Sequence, residues 1–205
     1  MKLYWATLSP FVRKVMIVAH EVGHADKLIL ANTAVGMTKP NAVLMEDNPL
    51  NKIPTLLLDD GTALYDSRTI CEFLDANFGG GRFFPSGPAR WDALQRQSLG
   101  DGLMDALLLW RQERLKVVER QTPELLDAFA LKTATTLAQL EAKADALAKT
   151  PFDIGQVTLG CMLSYLDLRF ADLRWRDGRP GLAQWHAGFA QRPSAEATKP
   201  NPPPA

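Results

Sequence analysis

Apolar and polar positions change rhythm twice along this chain. Residues 2–6, KLYWA, form a short apolar run that reads as a strand. From Pro10 the apolar residues Val12, Val15, Met16, Ala19 and Val22 recur at helical spacing, and Gly23 ends the pattern. KLILA at 27–31 reads as a second strand. TLLLDDGTALY carries two apolar runs joined through Asp60-Gly61, a hairpin signal in which glycine supplies positive φ. A helix follows with Ile70, Phe73, Leu74 and Asn77 on one side, and GGG at 79–81 stops it. The order is β-α-β, then β-β-α.

The second change comes after GGGRFFPSGP, a glycine- and proline-rich stretch that reads as a linker. Beyond it strand signals disappear, and residues 89–120, 122–149, 153–172 and 180–191 read as helices. Thr122-Pro123 marks one start, an N-cap with proline at the first helical position. Asp153 with Gln156 marks another, a variant of the capping box. ATKPNPPPA at the C-terminus cannot be helical and is expected along the surface or without fixed structure. The expectation is an α/β domain over 1–78, a linker over 79–90, and an all-helical domain over 91–205 that includes the proline-rich tail.

Composition narrows the function more than the fold. The 205 residues are 46% apolar and 22% charged, enough for a real core. Lysine plus arginine equals aspartate plus glutamate, so net charge is zero and the basic footprint of a nucleic-acid binder is missing. Two cysteines, Cys71 and Cys161, form no CxxC and no cluster with histidine, which argues against a disulfide framework or metal site. Both lie among apolar neighbours on predicted helices and are expected in the core. The first residues do not read as a signal peptide, and no stretch approaches the roughly 20 apolar residues of a membrane span. A cytoplasmic protein is the expectation.

Three short segments can carry chemistry, and each has a plain structural reading beside the functional one. Ser9-Pro10 is a favoured helix start, an N-cap followed by proline. The same geometry puts a hydroxyl where a helix mouth favours an anion, and a donated hydrogen bond there stabilises a thiolate. In NKIPT (51–55), Pro54 either opens a strand or forms a cis peptide that turns the backbone of Ile53 toward an extended ligand. In YDSRTI (65–70), Asp66 or Ser67 either caps the next helix or offers a second anion site. There Ser67 would receive a carboxylate, while Asp66, if not used in capping, would face an ammonium.

Together, SPFVRK, NPLNKIPTL and LYDSRTICEFL, with DIGQVTLGCML opening a later helix, resemble the glutathione S-transferase family over nearly the whole chain. The resemblance is strongest to bacterial members with serine or cysteine before Pro-Phe-x-x-Arg/Lys. It implies a thioredoxin-like N-terminal domain, an all-helical C-terminal domain and a homodimer. Ser9 would be the catalytic residue. Ile53, before a cis Pro54, would pair with the cysteinyl backbone of glutathione. Asp66 and Ser67 would hold the γ-glutamyl end, and Lys52 would approach the glycyl carboxylate. Glutathione is the expected co-substrate, with no metal, and the partner is a small electrophilic hydrophobic substrate. Ser9 would cap the helix when the site is empty and turn to the thiol when glutathione arrives.

A dithiol motif would need cysteines at 9 and 12, where Ser9 and Val12 stand, and serine cannot form a mixed disulfide. The family's capping box has an acidic residue where Gln156 stands, which implies a small cost in stability. For the second-substrate pocket, Trp5 and Leu8 are candidates from the first domain, and Leu108 and Arg111, on one helix face, from the second. Core or dimer contact is the competing reading for that helix. Asp101 and Asp105 share a face too, either as solvated charges or as partners of the glutathione ammonium across a dimer. Two alternatives to a transferase remain: a non-catalytic binding or regulatory module on the same fold, and a glutathione-dependent peroxidase.

Overall fold

The structure, a computed structural model of the chain, describes residues 1–200. Its described residues divide into two compact units, 1–90 together with 193–200, and 91–192.

The first unit is built on a four-stranded mixed sheet in the order β2-β1-β3-β4. Its strands are β1 (Lys2–Trp5), β2 (Ile29–Asn32), β3 (Thr55–Leu57) and β4 (Ala63–Leu64). β1 runs parallel to β2, with Leu3 opposite Leu30, and antiparallel to β3, with Leu3 opposite Leu56. A right-handed helical crossover suits the parallel pair, and α1 (Pro10–Glu21) supplies the helix. Its apolar residues are buried all round, from Val12 through Ala19, because α3 (Ser67–Leu74) and the C-terminal helix both pack against it. The β3–β4 hairpin turns as expected through Gly61 at φ 86°, where the Leu58 and Thr62 backbones bond at 2.8 Å. A short helix over residues 42–47, α2 (Ala42–Asp47), follows β2; it lies in a stretch that carries no clear periodic signal.

The sequence suggests a spacer over 79–90, but these residues fold onto the first unit. Asp75 extends α3 into a wider turn, and its Oδ2 accepts the N–H groups of Phe83 and Phe84, both at 2.9 Å. Phe83 is buried, and Arg82 donates to the Glu21 carbonyl and pairs with its carboxylate. The chain end belongs here too. Pro193–Ala197 forms one more helical turn, α9 in chain order, whose Ala195 carbonyl accepts from Arg13 Nη2 at 3.1 Å, while Ser194 Oγ donates to Glu21 at 2.7 Å. Helix therefore reaches Ala197, the first residue of the tail expected to be non-helical; its last five residues lie outside the described chain.

The second unit is all helical: α4 (Pro88–Arg114, most of it here), α5 (Pro123–Ala142), α6 (Ala144–Lys149), α7 (Ile154–Arg169) and α8 (Pro180–Ala190). Every residue from Ile154 to Leu163 is buried, so α7 is the axis of this unit. Its close neighbours demand small residues: a Cβ on Gly160 would stand 2.3–2.4 Å from ring atoms of Phe189. Cys71 and Cys161 are both buried and form no disulfide. Two helix ends differ from the sequence expectation. α4 stops at Arg114 rather than near 120, because Gln121 Nε2 donates to the carbonyls of Arg114 and Lys116 and Glu113 Oε1 accepts the Thr122 N–H. The helical stretch 122–149 breaks at Lys143 into α5 and α6.

The start of α7 also needs correcting. Asp153 caps it, its Oδ1 accepting from Gln156 N at 3.0 Å, and its Oδ2 receives Arg96 Nη2 at 2.5 Å. Gln156 does not complete a capping box. Its amide instead donates to the carbonyls of Leu147, at 2.9 Å, and Thr150, at 2.7 Å, closing the end of α6. Two acceptors face that side chain, so the amide is suited to it and a carboxylate is not.

Candidate active site

The register gathers the three candidate segments at one edge of the sheet. Tyr4 sits opposite Thr55, so the end of β1 leads toward Ser9 just where β3 begins after Ile53-Pro54. Leu64 sits opposite Leu56, so β4 ends at the same edge and delivers Tyr65, Asp66 and Ser67. Two helices, α1 and α3, therefore open at this edge, each presenting unpaired N–H groups and a partial positive charge.

Ser9 is the N-cap of α1, with Pro10 at the first helical position. Its N–H bonds the Ala6 carbonyl at 3.2 Å, which fixes the turn out of β1. Its Oγ accepts from Val12 N at 3.3 Å. That contact uses a lone pair and leaves the hydroxyl proton, which has no acceptor among the described residues. Ser9 does not have to leave its cap to donate to a ligand, so the rotation expected from the sequence is unnecessary.

Ile53-Pro54 is cis, as is Tyr65-Asp66. Among the described residues neither the N–H nor the C=O of Ile53 takes part in a hydrogen bond within the protein. The loop before it is held by a group the sequence reading missed. Asn48, buried, donates from Nδ2 to the Lys52 carbonyl at 3.1 Å and to Thr55 Oγ1 at 2.8 Å, and its Oδ1 receives Leu50 N–H at 3.0 Å. Lys52 itself is exposed, and its ammonium makes no ion pair among the described residues. Asn48 carries no sequence signal of its own, because a polar residue before proline reads simply as a turn.

Asp66 caps α3, Oδ1 accepting from Arg68 N at 2.9 Å, and Ser67 follows as the first helical residue, 2% exposed. Capping occupies one carboxylate oxygen; Oδ2 has no protein partner among the described residues. Trp5 and Leu8 are both half-buried on the β1–α1 side. Leu108 and Arg111 are half-buried on α4 in the second unit. On the same helix Asp101 is buried and only Asp105 is exposed, so the pair is not a shared solvated face.

Comparisons with known proteins fit this geometry. The family model described as "Glutathione S-transferase, N-terminal domain" matches residues 8–77, and "Glutathione S-transferase, C-terminal domain" matches 123–188. A glutathione transferase family member from Pseudomonas fluorescens Pf-5, solved with bound glutathione, is 42% identical with a TM-score of 0.94, covering 98% of this chain and 99% of its own. A second structure from that organism, with bound S-(propanoic acid)-glutathione, is 40% identical with a TM-score of 0.90, covering 98% and 100%. The GST-like protein YibF of Escherichia coli K12 is 28% identical over 203 residues, 98% of each chain. The chain belongs to the glutathione S-transferase family.

The thioredoxin-like sheet and the helical unit are thus those of a transferase fold. Among the described residues no group of three or more His, Cys, Asp or Glu side chains is placed to hold a metal ion, and no helix is long and apolar enough to cross a membrane.

One further constellation in the second unit was not anticipated: Ser164, His186 and Asp167 lie together. Ser164 Oγ is 3.0 Å from His186 Nε2, but Asp167 Oδ2 is 3.9 Å from Nδ1, too far for a hydrogen bond. Arg176 Nη2 takes that place at 3.2 Å. Arginine only donates, so Nδ1 faces a donor where a catalytic relay would place a carboxylate. Ser164 in turn donates to the Gly160 carbonyl at 2.8 Å. With no carboxylate hydrogen-bonded to Nδ1 and the serine hydroxyl directed to a helix carbonyl, the three side chains do not form a catalytic relay.

Proposed function

We propose that this protein is a glutathione transferase in which Ser9 activates the thiol of bound glutathione for attack on a small, electrophilic, hydrophobic substrate. The observation that carries the reading is the Ser9 hydroxyl at the mouth of α1, capped through its lone pair with its proton free to donate. The unused Ile53 backbone groups support antiparallel pairing with the cysteinyl residue of glutathione. Asp66 Oδ2 suits the γ-glutamyl ammonium, and the Ser67 hydroxyl and N–H suit its carboxylate. Lys52, exposed beside Ile53, suits the glycyl carboxylate. The neighbours solved with glutathione and with its S-propanoate conjugate support the ligand class.

A free thiol titrates near 8.5, so only a few per cent is thiolate at neutral pH. Donation from Ser9 together with the helix mouth lowers this by about 1–2 units and raises the reactive fraction roughly tenfold or more. The thiolate then forms a carbon–sulfur bond. In a substitution the leaving group departs with its electron pair; in an addition the adjacent carbon takes a proton. Serine stays uncharged and is never covalently modified. Family membership supports a homodimer acting in detoxification, and two buried cysteines without a disulfide suit the cytoplasm.

The test is titration of thiolate absorbance for glutathione bound to wild-type protein and to Ser9→Ala. A bound pKa well below 8.5 that returns toward the free value in the variant is expected. Equal values in both proteins would remove Ser9 from the chemistry, and absence of binding would point to an interaction module. Turnover of organic peroxides measured beside conjugation decides between transferase and peroxidase.

A further inference from the structure

Helices α4 and α7 run side by side and in one direction through the second unit. A Cβ on Gly155 would stand 2.5 Å from Arg96 Cβ, and one on Gly100 would stand 3.2 Å from the Thr158 carbonyl carbon. Further along, the Trp110 and Phe170 ring centroids lie 5.0 Å apart, and Arg114 Nη2 donates to Asp172 Oδ2 at 2.8 Å. Partners advance together along both segments, so the register is parallel and continuous. It sets Arg111 beside the last turn of α7, where Tyr165 and Arg169 stand one turn apart on one face.

Charge is not matched everywhere along this seam. Arg96, near its start, pairs with Asp153 at 2.5 Å, and Arg114, at its end, pairs with Asp172. Between them, Arg111 and Arg169 make no ion pair among the described residues, and Arg169 Nε is buried there without a hydrogen-bond partner. The acids close by in sequence are committed elsewhere. Asp167 takes Arg176 and Trp175, and Glu113 takes Lys116 and the Thr122 N–H. Tyr165, 4% exposed, lies within the field of both guanidinium groups. Burial raises its phenol above the ordinary value, and the charges of Arg111 and Arg169, with a hydrogen bond from Arg169, work against that rise. Its own hydroxyl proton has no acceptor among the described residues.

Two half-buried cations and a phenol proton thus converge with nothing negative among them. Like charges repel more strongly where water is partly excluded, and a bound oxyanion relieves them. A guanidinium fork matches a carboxylate in two parallel bonds, and the phenol adds another donor. Leu108, half-buried one turn before Arg111 on the same face, offers apolar surface to a carbon body.

We propose that Arg111, Arg169 and Tyr165 form a carboxylate-binding site in the second unit, and that its ligand is a small organic acid with an apolar body. The site uses none of the residues assigned to glutathione, and it stands without the transferase reading.

The test uses full-length protein, with benzoate and its neutral amide, benzamide, as probes in titration calorimetry. Benzoate is expected to bind about tenfold tighter than benzamide. That preference should vanish in Arg111→Met and in Arg169→Met, fall severalfold in Tyr165→Phe, and persist in the exposed control Lys149→Met. Equal binding of acid and amide, or a preference indifferent to both arginine variants, overturns the proposal. Inorganic phosphate displacing benzoate at equal concentration would mark a site for free inorganic anions and overturn the organic-acid assignment. Urea unfolding tests the rival structural role. Ligand-free Arg111→Met is expected to be no less stable than wild type, because it separates two like charges, and benzoate should raise the midpoint of wild type but not of the variant. A variant that unfolds at clearly lower urea would mean that the arginine already has its partner within the protein, and that too overturns the proposal.

Discussion

Replacing Gln156 by glutamate separates two accounts of how α7 begins, because they predict opposite signs. If position 156 completed a capping box, a carboxylate there would accept from the Asp153 N–H and gain a few tenths of a kcal/mol or more. In the structure the side chain faces the other way. It is buried, and its amide donates to the Leu147 and Thr150 carbonyls at 2.9 and 2.7 Å. Gln156→Glu removes both bonds, about 1 kcal/mol each, and sets an anion against the acceptors. Leu147 O keeps a second donor, the Thr150 N–H at 3.2 Å, which limits the loss to one orphaned carbonyl plus the buried charge. The expected cost is about 3 kcal/mol at neutral pH. Urea unfolding followed by circular dichroism measures it, with Gln156→Met, expected near 2 kcal/mol, as the uncharged comparison. The pH dependence gives an internal check. Burial and facing carbonyls raise the introduced carboxyl's folded-state pKa above its unfolded value near 4.3. The folded state then binds the proton more tightly, so the deficit shrinks as pH falls from about 7 toward 5. A variant as stable as wild type, or a deficit that widens on acidification, would refute the reasoning.

Three further outcomes are expected. Ser9→Ala loses one long capping bond of 3.3 Å and should cost about 0.5–1 kcal/mol in urea; a loss above about 2 would mean Ser9 holds more than its cap. Gly160→Ala drives a methyl into the Phe189 ring, itself stacked on Trp185 and His186, and should cost about 2–3 kcal/mol by chemical unfolding, with a fully stable variant contradicting that packing. Burial alone would raise the Asp167 carboxyl, but hydrogen bonds from Arg176 and Trp175 outweigh it and hold its pKa below the ordinary value. Its stabilisation is therefore present above the unfolded pKa near 3.9 and lost as pH falls through the lower folded value. Asp167→Asn should be less stable than wild type at pH 7, with the gap closing below about pH 4 in acid-urea titrations; a constant gap would sink the assignment.

The sequence made the architecture legible wherever local signals agreed with tertiary demand. The two apolar runs around Asp60-Gly61 pair as β3 and β4, and the 3.6-residue stripe from Val12 to Ala19 is buried on folding. It was less informative where side chains settle an end. The stop of α4 at Arg114 is set by Gln121 and Glu113, polar residues that would equally suit an exposed helix. Gln156 matched a capping-box pattern because only its position, not its direction, is written in the sequence. Asn48 positions the Ile53 loop through bonds to residues four and seven further on, a pattern no periodicity reveals. The juxtaposed arginines were invisible for a stronger reason: Arg169 meets Arg111 only through the register of α4 and α7, helices distant in the chain.

The ambiguity at Ser9, cap or chemistry, is instructive because the structure dissolves it rather than choosing. A hydroxyl has lone pairs to accept with and one proton to donate, and capping uses only the former. Asp66 repeats the arrangement at α3, with Oδ1 spent on the helix and Oδ2 left over. At both helix mouths the group that terminates the helix is also the one able to meet a ligand, since each must sit where backbone N–H groups converge. A sequence signal for capping is therefore no evidence against a binding role, and the two readings need not divide the odds between them. What distinguishes a working mouth is the remaining valence: a proton without an acceptor at Ser9, an oxygen without a donor at Asp66, and between them the unpaired backbone of Ile53. Those three unmet needs lie at one end of the sheet, and they are the observations on which the proposed binding of a tripeptide with a thiol, an ammonium and an extended backbone rests.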